Sequence, residues 1–386
     1  MKRSIYVMAV GAFGIITTEF GVIGILPELA TRFRIPLDTA GWLISGFALT
    51  VALFGPLATK LTARVNRKVI LCSVLAVFVV SNGLSALAPN FTVLMIARIL
   101  PAFLHPVFWA VSMSVAAKQV GPKDAPKALA IIMGGLSVAT VLGVPVTTYA
   151  ATLLGWQASF LVAGIINLAA FGALAALMPS LPVRAEAQTQ TGRNVLASPQ
   201  LWIKLLTGVI TVAGMFATYG YLAGYLDKVT HMSGVQVSVM LLVFGATGIV
   251  GNWLTGIALS KNVQATSRWI MALLVVTHVL AYSVGGLFIP MVILLSVWGF
   301  IHTGGLLMVN LYVTHDVPHD GLEAVNSFLP SAYNAGITLG TLLGGFVIAH
   351  YGVHQVIWAS VPLLALAWGI SFSPFSAPKR ARSLQV

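Results

Sequence analysis

Apolar residues in this chain come in long runs separated by short polar punctuation, and the runs set its organisation. The first extends from Ile5 to Leu29, longer than the roughly 20 residues a helix needs to cross a hydrocarbon core of about 30 Å. Five more complete a first set: Trp42–Thr59, Val69–Leu87, Phe91–Ala116, Ala128–Leu154 and Phe160–Met178. A second set comprises Leu201–Tyr225, Val235–Leu259, Trp269–Phe288, Met291–Val313, Ala324–Ala349 and Val356–Phe372. The pattern predicts an all-α polytopic membrane protein with twelve transmembrane helices.

Between the sets, the segment from Pro182-Val183-Arg184 to Gly192-Arg193-Asn194 is polar and almost free of large apolar residues, as expected of a cytoplasmic linker. The expected domains are thus an N-terminal six-helix bundle (1–181), a linker (182–199) and a C-terminal six-helix bundle with a short basic tail (200–386). Sliding the second half by 197 positions brings Gly143 and Gly155 onto Gly340 and Gly352, and His105 onto His302; Gly55 and Gly251 miss by one. Several coincidences at one offset imply two pseudo-symmetric bundles, the architecture of a transporter with its site near the midplane between repeats.

Composition agrees with the pattern. Only 8% of residues are charged against about 25% in soluble domains, and mean hydropathy is +0.95. The net charge of +12 is not a nucleic-acid signature, because the basic residues punctuate apolar runs and form no face on a soluble module. Cys72 is the only cysteine, which excludes an intramolecular disulfide or a cysteine-based zinc site. Met1-Lys2-Arg3 before an apolar run has the look of a signal peptide, but the run is too long and carries Glu19, so it reads as a first helix. With the N-terminus inside, 17 Lys and Arg fall on cytoplasmic segments and three outside, Arg32, Arg34 and Lys228. That bias predicts both termini in the cytoplasm, although the loop His315–Glu323 carries three acids and no Lys or Arg.

The remaining basic residue, Arg98, lies inside the fourth run, and Glu19 inside the first. A charge at depth costs about 2.5 kcal/mol or more, so each is a functional candidate. Counting from the run ends places Glu19 about 21 Å from one face and Arg98 about 10 Å from the other, depths that nearly coincide in a core of about 30 Å. Proximity predicts an ion pair in which protonation of Glu19 frees Arg98, a switch suited to a proton-coupled carrier; a static bridge fixing helix packing is the alternative. His105 and Trp109 follow at helical spacing from Arg98, and the imidazole can relay a proton or bond a polar solute. His278 and His302 are weaker candidates of the same kind.

Gly134, Gly135 and Gly143 with Pro145, and later Gly336, Gly340, Gly344 and Gly345, predict close helix approach, with Pro145 loosening the backbone. Tyr219, Tyr221 and Tyr225 suit either stacking on a solute or an interfacial belt. His315-Asp316-Val317-Pro318-His319-Asp320 has metal-ligand residue types, but Pro318 spoils their alignment. No Walker loop or HExxH motif is present, and the Asn90-Phe91-Thr92 sequon hugs the membrane.

Three segments carry a resemblance to the major facilitator superfamily, in particular its twelve-span drug:proton antiporter branch with bacterial sugar-efflux and arabinose-efflux-like permeases. They are Thr18-Glu19-Phe20 through Leu26-Pro27, Ala97-Arg98 through His105-Pro106-Val107-Phe108-Trp109, and Leu142-Gly143-Val144-Pro145 followed by Gly155-Trp156. The resemblance implies a bacterial inner-membrane location, a central cavity lined by spans one, four, seven and ten, a proton-coupling role for Arg98, and an antiporter signature at Gly143 and Pro145. The loop from Gly55-Pro56-Leu57 to Arg64-Val65-Asn66-Arg67-Lys68 resembles the family's cytoplasmic gate, but Ala63 replaces the usual aspartate and Asn66 the usual glycine. Gln157 likewise stands where an arginine often follows Gly-Trp.

The expectation is a monomeric, proton-coupled exporter of small organic solutes such as drugs, sugars or nucleosides, needing no cofactor beyond the proton gradient. Glu19, Arg98 and His105 would handle protons; Phe13, Thr17, Phe20, Trp109, Tyr219, His302 and Asn310 are cavity candidates; and Gly55, Arg64, Arg67, Lys68, Gly143 and Pro145 would serve conformational change. A passive facilitator of the same fold is one rival. A membrane-embedded enzyme is another, but it would need a catalytic cluster at one depth. One repeat later, Glu19 and Arg98 map to Phe216 and Leu295, which places proton handling in the first half.

Overall fold

The computed structural model describes residues 3–120, 124–182, 198–318 and 321–373. Most of the expected linker (183–197) and the basic tail lie outside the described residues. Twelve helices among those described are long and apolar enough to span a membrane. In the first half they are α1 (Arg3–Phe33), α2 (Leu37–Thr62), α3 (Arg67–Ala86), α4 (Phe91–Val120), α5 (Lys127–Leu154) and α6 (Gln157–Leu177). In the second they are α7 (Pro199–Lys228), α8 (Gly234–Lys261), α9 (Val263–Val284), α10 (Phe288–Thr314), α11 (Phe328–Tyr351) and α12 (Val353–Ile370).

The helix count follows from the apolar runs; the interruptions inside four helices do not. α1 gives way at Gly21 to a 3₁₀ turn, Val22–Ile25, just before Pro27. α4 breaks after Ala102 and resumes at His105, between Pro101 and Pro106. α5 contains a π turn, Ala139–Gly143, two residues ahead of Pro145. In these three a proline withholds an N–H from the helical ladder, and the chain absorbs the slack in the preceding turn. α7 breaks at Gly220–Tyr221 without a proline. Polar residues fix several starts: Asn66, Asn90 and Asn262 cap α3, α4 and α9, and Ser233 with Gln236 forms a capping box on α8.

The repeat has a backbone fingerprint. Among the described residues four adopt positive φ, Arg34 and His231 at 54° and 57°, and Gly155 and Gly352 at 89° and 86°. Each pair is separated by 197 positions, since 231 less 34 and 352 less 155 give the same offset. α1 packs on α5 and α6 as α7 packs on α11 and α12, while α2 with α11 and α5 with α8 join the halves.

The core is continuous at one end and divided at the other. Away from the termini, Val22, Leu26, Leu29 and Leu43 share a cluster with Phe216, Leu222, Leu226 and Leu241 of the second half. Toward the termini, the first half keeps its own cluster, including Ile5, Met8, Ile15 and Val111, and Leu201, Val313, Val325 and Leu329 form a separate one. The halves therefore share one apolar core at the end distal to the termini and keep separate cores at the near end, where α2 and α11 still meet at Gly55 and Ser331. There Tyr6 and Val10 of α1 are exposed and Phe13 partly so, a stripe at helical spacing that ends where Phe20 meets Phe216 of α7, ring centroids 5.8 Å apart.

Candidate functional site

At the turn from α-helix to 3₁₀ helix in α1, Thr18 and Glu19 present their carbonyls to α4. Arg98 Nη1 donates to Thr18 O at 2.5 Å and Nη2 to Glu19 O at 3.1 Å, with the guanidinium over the Phe47 ring at 5.5 Å. A buried cation at the C-terminal end of a helical segment compensates carbonyls that point at no helical donor. The expected Glu19–Arg98 side-chain pair is not formed. The partner of the Glu19 carboxyl is His105, whose Nε2 lies 3.1 Å from Oε2, with both residues buried. Matching depth was a sound expectation. The rotation of α4 and its break at Phe103-Leu104 decided which side chain met the carboxyl, aiming His105 at Oε2 and Arg98 at the main chain.

Around this pair the first half builds a polar network. Thr18 Oγ1 accepts from Asn82 Nδ2 of α3 and Asn167 Nδ2 of α6, each at 3.0 Å, and donates to Gly14 O. Trp109 Nε1, one turn along the same stripe of α4, donates to His105 Nε2 at 3.1 Å. Arg98 Nε, His105 Nδ1 and the amide oxygens of Asn82 and Asn167 are buried without a hydrogen-bond partner among the described residues. Asn82 and Asn167 did not figure among the expected site residues. An amide inside an otherwise apolar run was the signal that marked them.

The cavity candidates divide. Phe13, Phe20 and Trp109 are partly exposed and Asn310 is exposed. Thr17 is 1% exposed and faces Gly143 of α5, so it belongs to helix packing and does not line a cavity. Tyr219 and His302 are enclosed in an aromatic cluster, the imidazole 4.6 Å from the Tyr219 ring, 5.3 Å from Phe244 and 5.8 Å from Phe216. Neither ring nitrogen of His302 has a hydrogen-bond partner among the described residues. His278 gives Nδ1 to the Leu274 carbonyl at 2.7 Å. Tyr221 and Tyr225 are neither a belt nor a stacking platform, because their hydroxyls bond Thr341 O and Ala281 O inside the second half.

Of the conformational candidates, Gly143 sits where a Cβ would come within 2.2 Å of Thr17 Oγ1, at the end of the π turn that also meets α8 beside Gly245. Pro145 is buried two residues further on α5. Gly55 lies where α2 meets Pro106 of α4 and Ser331. Arg64, Arg67 and Lys68 make no ion pair among the described residues. Asn66 instead caps α3 and donates to Ser180 Oγ at 2.8 Å, tying the gate loop to the end of α6.

A profile of the Major Facilitator Superfamily matches residues 8–329. The chain belongs to that superfamily. Among its relatives, the inner membrane transport protein YdhP of Escherichia coli K12 is 34% identical over 369 residues, 93% of each chain. The probable sugar efflux transporter of Helicobacter pylori G27 is 29% identical over 367 residues, 94% of this chain and 93% of the other. A bacterial homologue of the human lysosomal transporter Spinster, crystallised inward-facing and occupied, superposes with a TM-score of 0.75 at 15% identity, covering 96% of this chain and 95% of its own.

As a Major Facilitator Superfamily member this protein is a transporter and not an enzyme, embedded in the bacterial inner membrane with multiple spans and acting on a small-molecule substrate. Its second half holds a charged pair that the sequence reading did not single out. Lys204, 3% exposed near the start of α7, forms an ion pair with Asp316 just past α10 and lies over the Tyr312 ring at 5.2 Å. His315 Nδ1 is 2.7 Å from the other Asp316 oxygen. Burial opposes ionisation of Asp316, but the hydrogen bonds and charges of Lys204 and His315 outweigh it and hold the carboxyl below its ordinary range.

Proposed function

We propose that this transporter exports small organic solutes in exchange for protons by alternating access, as a monomer with both termini in the cytoplasm. The observation that carries the reading is the Glu19–His105 contact: a buried carboxyl 3.1 Å from an imidazole, beside the interface between halves. A carboxyl there can take up a proton in one state and lose it in another, which is the requirement for coupling. On this orientation the end with divided apolar cores faces the cytoplasm, and Phe20 against Phe216 closes the far side, an arrangement that supports an inward-facing reading. Sugars are the first solutes to test, since relatives carry the name sugar efflux transporter, and Phe13, Phe20 and Trp109 of the first half with the exposed Asn310 amide of the second are accessible to a solute. Drug-like compounds and nucleosides follow.

A thermal-shift screen over sugars, nucleosides and drug-like compounds selects a ligand, because binding to the folded form raises its apparent stability. Transport of that compound is then measured in proteoliposomes with and without an imposed pH gradient. Coupling predicts that the gradient drives wild-type transport and that Glu19→Gln still exchanges solute without responding to it. Wild-type transport indifferent to the gradient would overturn coupling and leave a passive facilitator of the same fold.

A further inference from the structure

α7 leaves helical geometry at Gly220–Tyr221 with no proline to impose the break. Tyr221 sits at φ −114°, ψ 13°, outside the helical range, and the chain resumes as a helix at Leu222. Its ring is 1% exposed, and its hydroxyl donates to Thr341 O of α11 at 2.9 Å, which anchors the side chain within the second half. The ring nevertheless fills a notch in the first half. A Cβ on Gly41 of α2 would lie 2.6 Å from Tyr221 Cζ, far inside the 3.4–4 Å of ordinary contact. One turn nearer the start of α2 the roles invert: a Cβ on Gly224 of α7 would lie 2.6 Å from Leu37 Cδ2 of α2. On the other side of Gly41, Ile44 Cδ1 of α2 comes within 3.7 Å of the same position on Gly220. Leu37, Gly41 and Ile44 follow at i, i+4 and i+7, which is one face of a helix. Bulky, small, bulky on α2 thus faces small, bulky, small on α7.

We infer that this α2–α7 clasp, with Tyr221 as its tooth, holds the end distal to the termini closed, and that Gly41 and Gly224 keep its notches empty. The inference rests on the alternating access proposed above and names the contact that parts when that end opens. Fit of this kind exists at one spacing of two helices, because packed interiors have no slack to take up a displacement. A gap of about 0.5–1 Å already forfeits a quarter to a half of the dispersion attraction, so the clasp is either engaged or released. The Thr341 carbonyl travels with Tyr221, since both belong to the second half, and keeps the tooth aimed for re-entry. Only one of the two equivalent seams is built this way. One repeat earlier Tyr221 maps to Gly24, and one repeat later Gly41 maps to Ser238. A Cβ on Gly24 would lie 2.9 Å from Thr148 Cβ of α5, so that notch is filled from its own half.

The test uses purified protein in lipid nanodiscs, without solute or gradient. Cys72→Ser removes the native thiol, and Leu241→Cys places a reporter on α8, buried in the shared core one turn from Gly245, which meets Val141 of α5. The reporter lies on the other seam, so its rate of reaction with a charged methanethiosulfonate reagent follows opening of the whole far end and not local slack around Tyr221. Gly41→Ala deletes no contact and should raise that rate roughly tenfold in folded protein. Tyr221→Ala should raise it as well, and Gly41→Ala combined with Tyr221→Ala should match Tyr221→Ala alone, since an absent tooth cannot clash with a filled notch. Gly83→Ala, where a Cβ meets nothing within 4 Å, should keep the wild-type rate. An unchanged rate in Gly41→Ala protein with a wild-type unfolding midpoint would overturn the inference, and so would an additive rise in the double variant. Failure of proton coupling is read separately, as transport indifferent to a pH gradient.

Discussion

Replacing Glu19 by Gln separates two roles for Arg98 by stability alone. If the guanidinium depended on the Glu19 carboxylate, removing that charge would strand a buried cation, at a cost of about 3–5 kcal/mol. Here Arg98 bonds the carbonyls of Thr18 and Glu19, which are main-chain atoms that the substitution leaves in place. The group that loses its partner is His105, which keeps the hydrogen bond from Trp109, so the net change is about 1 kcal/mol or less. Thermal unfolding in detergent, followed by circular dichroism, reads the difference. For a chain of this length about 1 kcal/mol moves the midpoint by roughly 1–2 °C, so Glu19→Gln is expected within about 2 °C of wild type. Arg98→Met, which removes two charge-assisted hydrogen bonds at about 1.5–3 kcal/mol each, should fall well below it. A loss of roughly 5 °C or more in Glu19→Gln, matching Arg98→Met, would refute the carbonyl clamp.

Three further perturbations probe the scaffold. Thr18→Val keeps the shape of the side chain but removes the acceptor for two buried amides, and should cost about 2 kcal/mol in thermal or denaturant unfolding; combined with Asn82→Ala it should cost less than the sum, since both remove one hydrogen bond. Gly340→Ala would put a Cβ 2.2 Å from the Ala213 carbonyl oxygen of α7, forcing two backbones apart at about 1–3 kcal/mol or more, visible as a lowered unfolding midpoint. Asp316 contributes to stability through a lowered pKa, so its share is fully present above the ordinary carboxylate value of about 4 and is lost as the pH falls through the lower folded-state value. Asp316→Asn should therefore lower stability at neutral pH and flatten the acid side of the unfolding-midpoint profile.

Much of the architecture is legible in the order of residues because a bilayer core offers the backbone no hydrogen-bond partner. Each apolar run must then close its own ladder as a helix, and length alone assigns the span. The repeat is legible for a related reason: Gly155 and Gly352 mark turns with positive φ that a Cβ disfavours, so the glycine survives in both halves as a visible tag. Arg34 and His231 share the same conformation without sharing a residue type, and sequence comparison could not have paired them. The breaks in α1, α4 and α5 were signalled by Pro27, Pro101, Pro106 and Pro145, but a proline states only that a hydrogen bond is lost, not where the helix yields.

The residues Glu19, Arg98, His105 and Trp109 were recognisable as a group because charge and imidazole are costly at depth, and depth can be counted at about 1.5 Å per residue. Counting gives position along the membrane normal; it carries no information on rotation about the helix axis or on the side of a neighbour that a side chain meets. That second coordinate comes from packing. α4 restarts at His105 after its break and delivers the imidazole to the carboxyl, Arg98 to two main-chain oxygens, and Trp109 to the same imidazole nitrogen. In the same way only the packed helices bring Lys204 to Asp316, 112 residues apart, and enclose Tyr219 and His302 behind Phe216. The sequence by itself determined the twelve spans, their two-fold division and the half that carries the buried carboxyl, whereas the tertiary structure alone decided that carboxyl's partner, because hydrogen bonding depends on direction as well as depth.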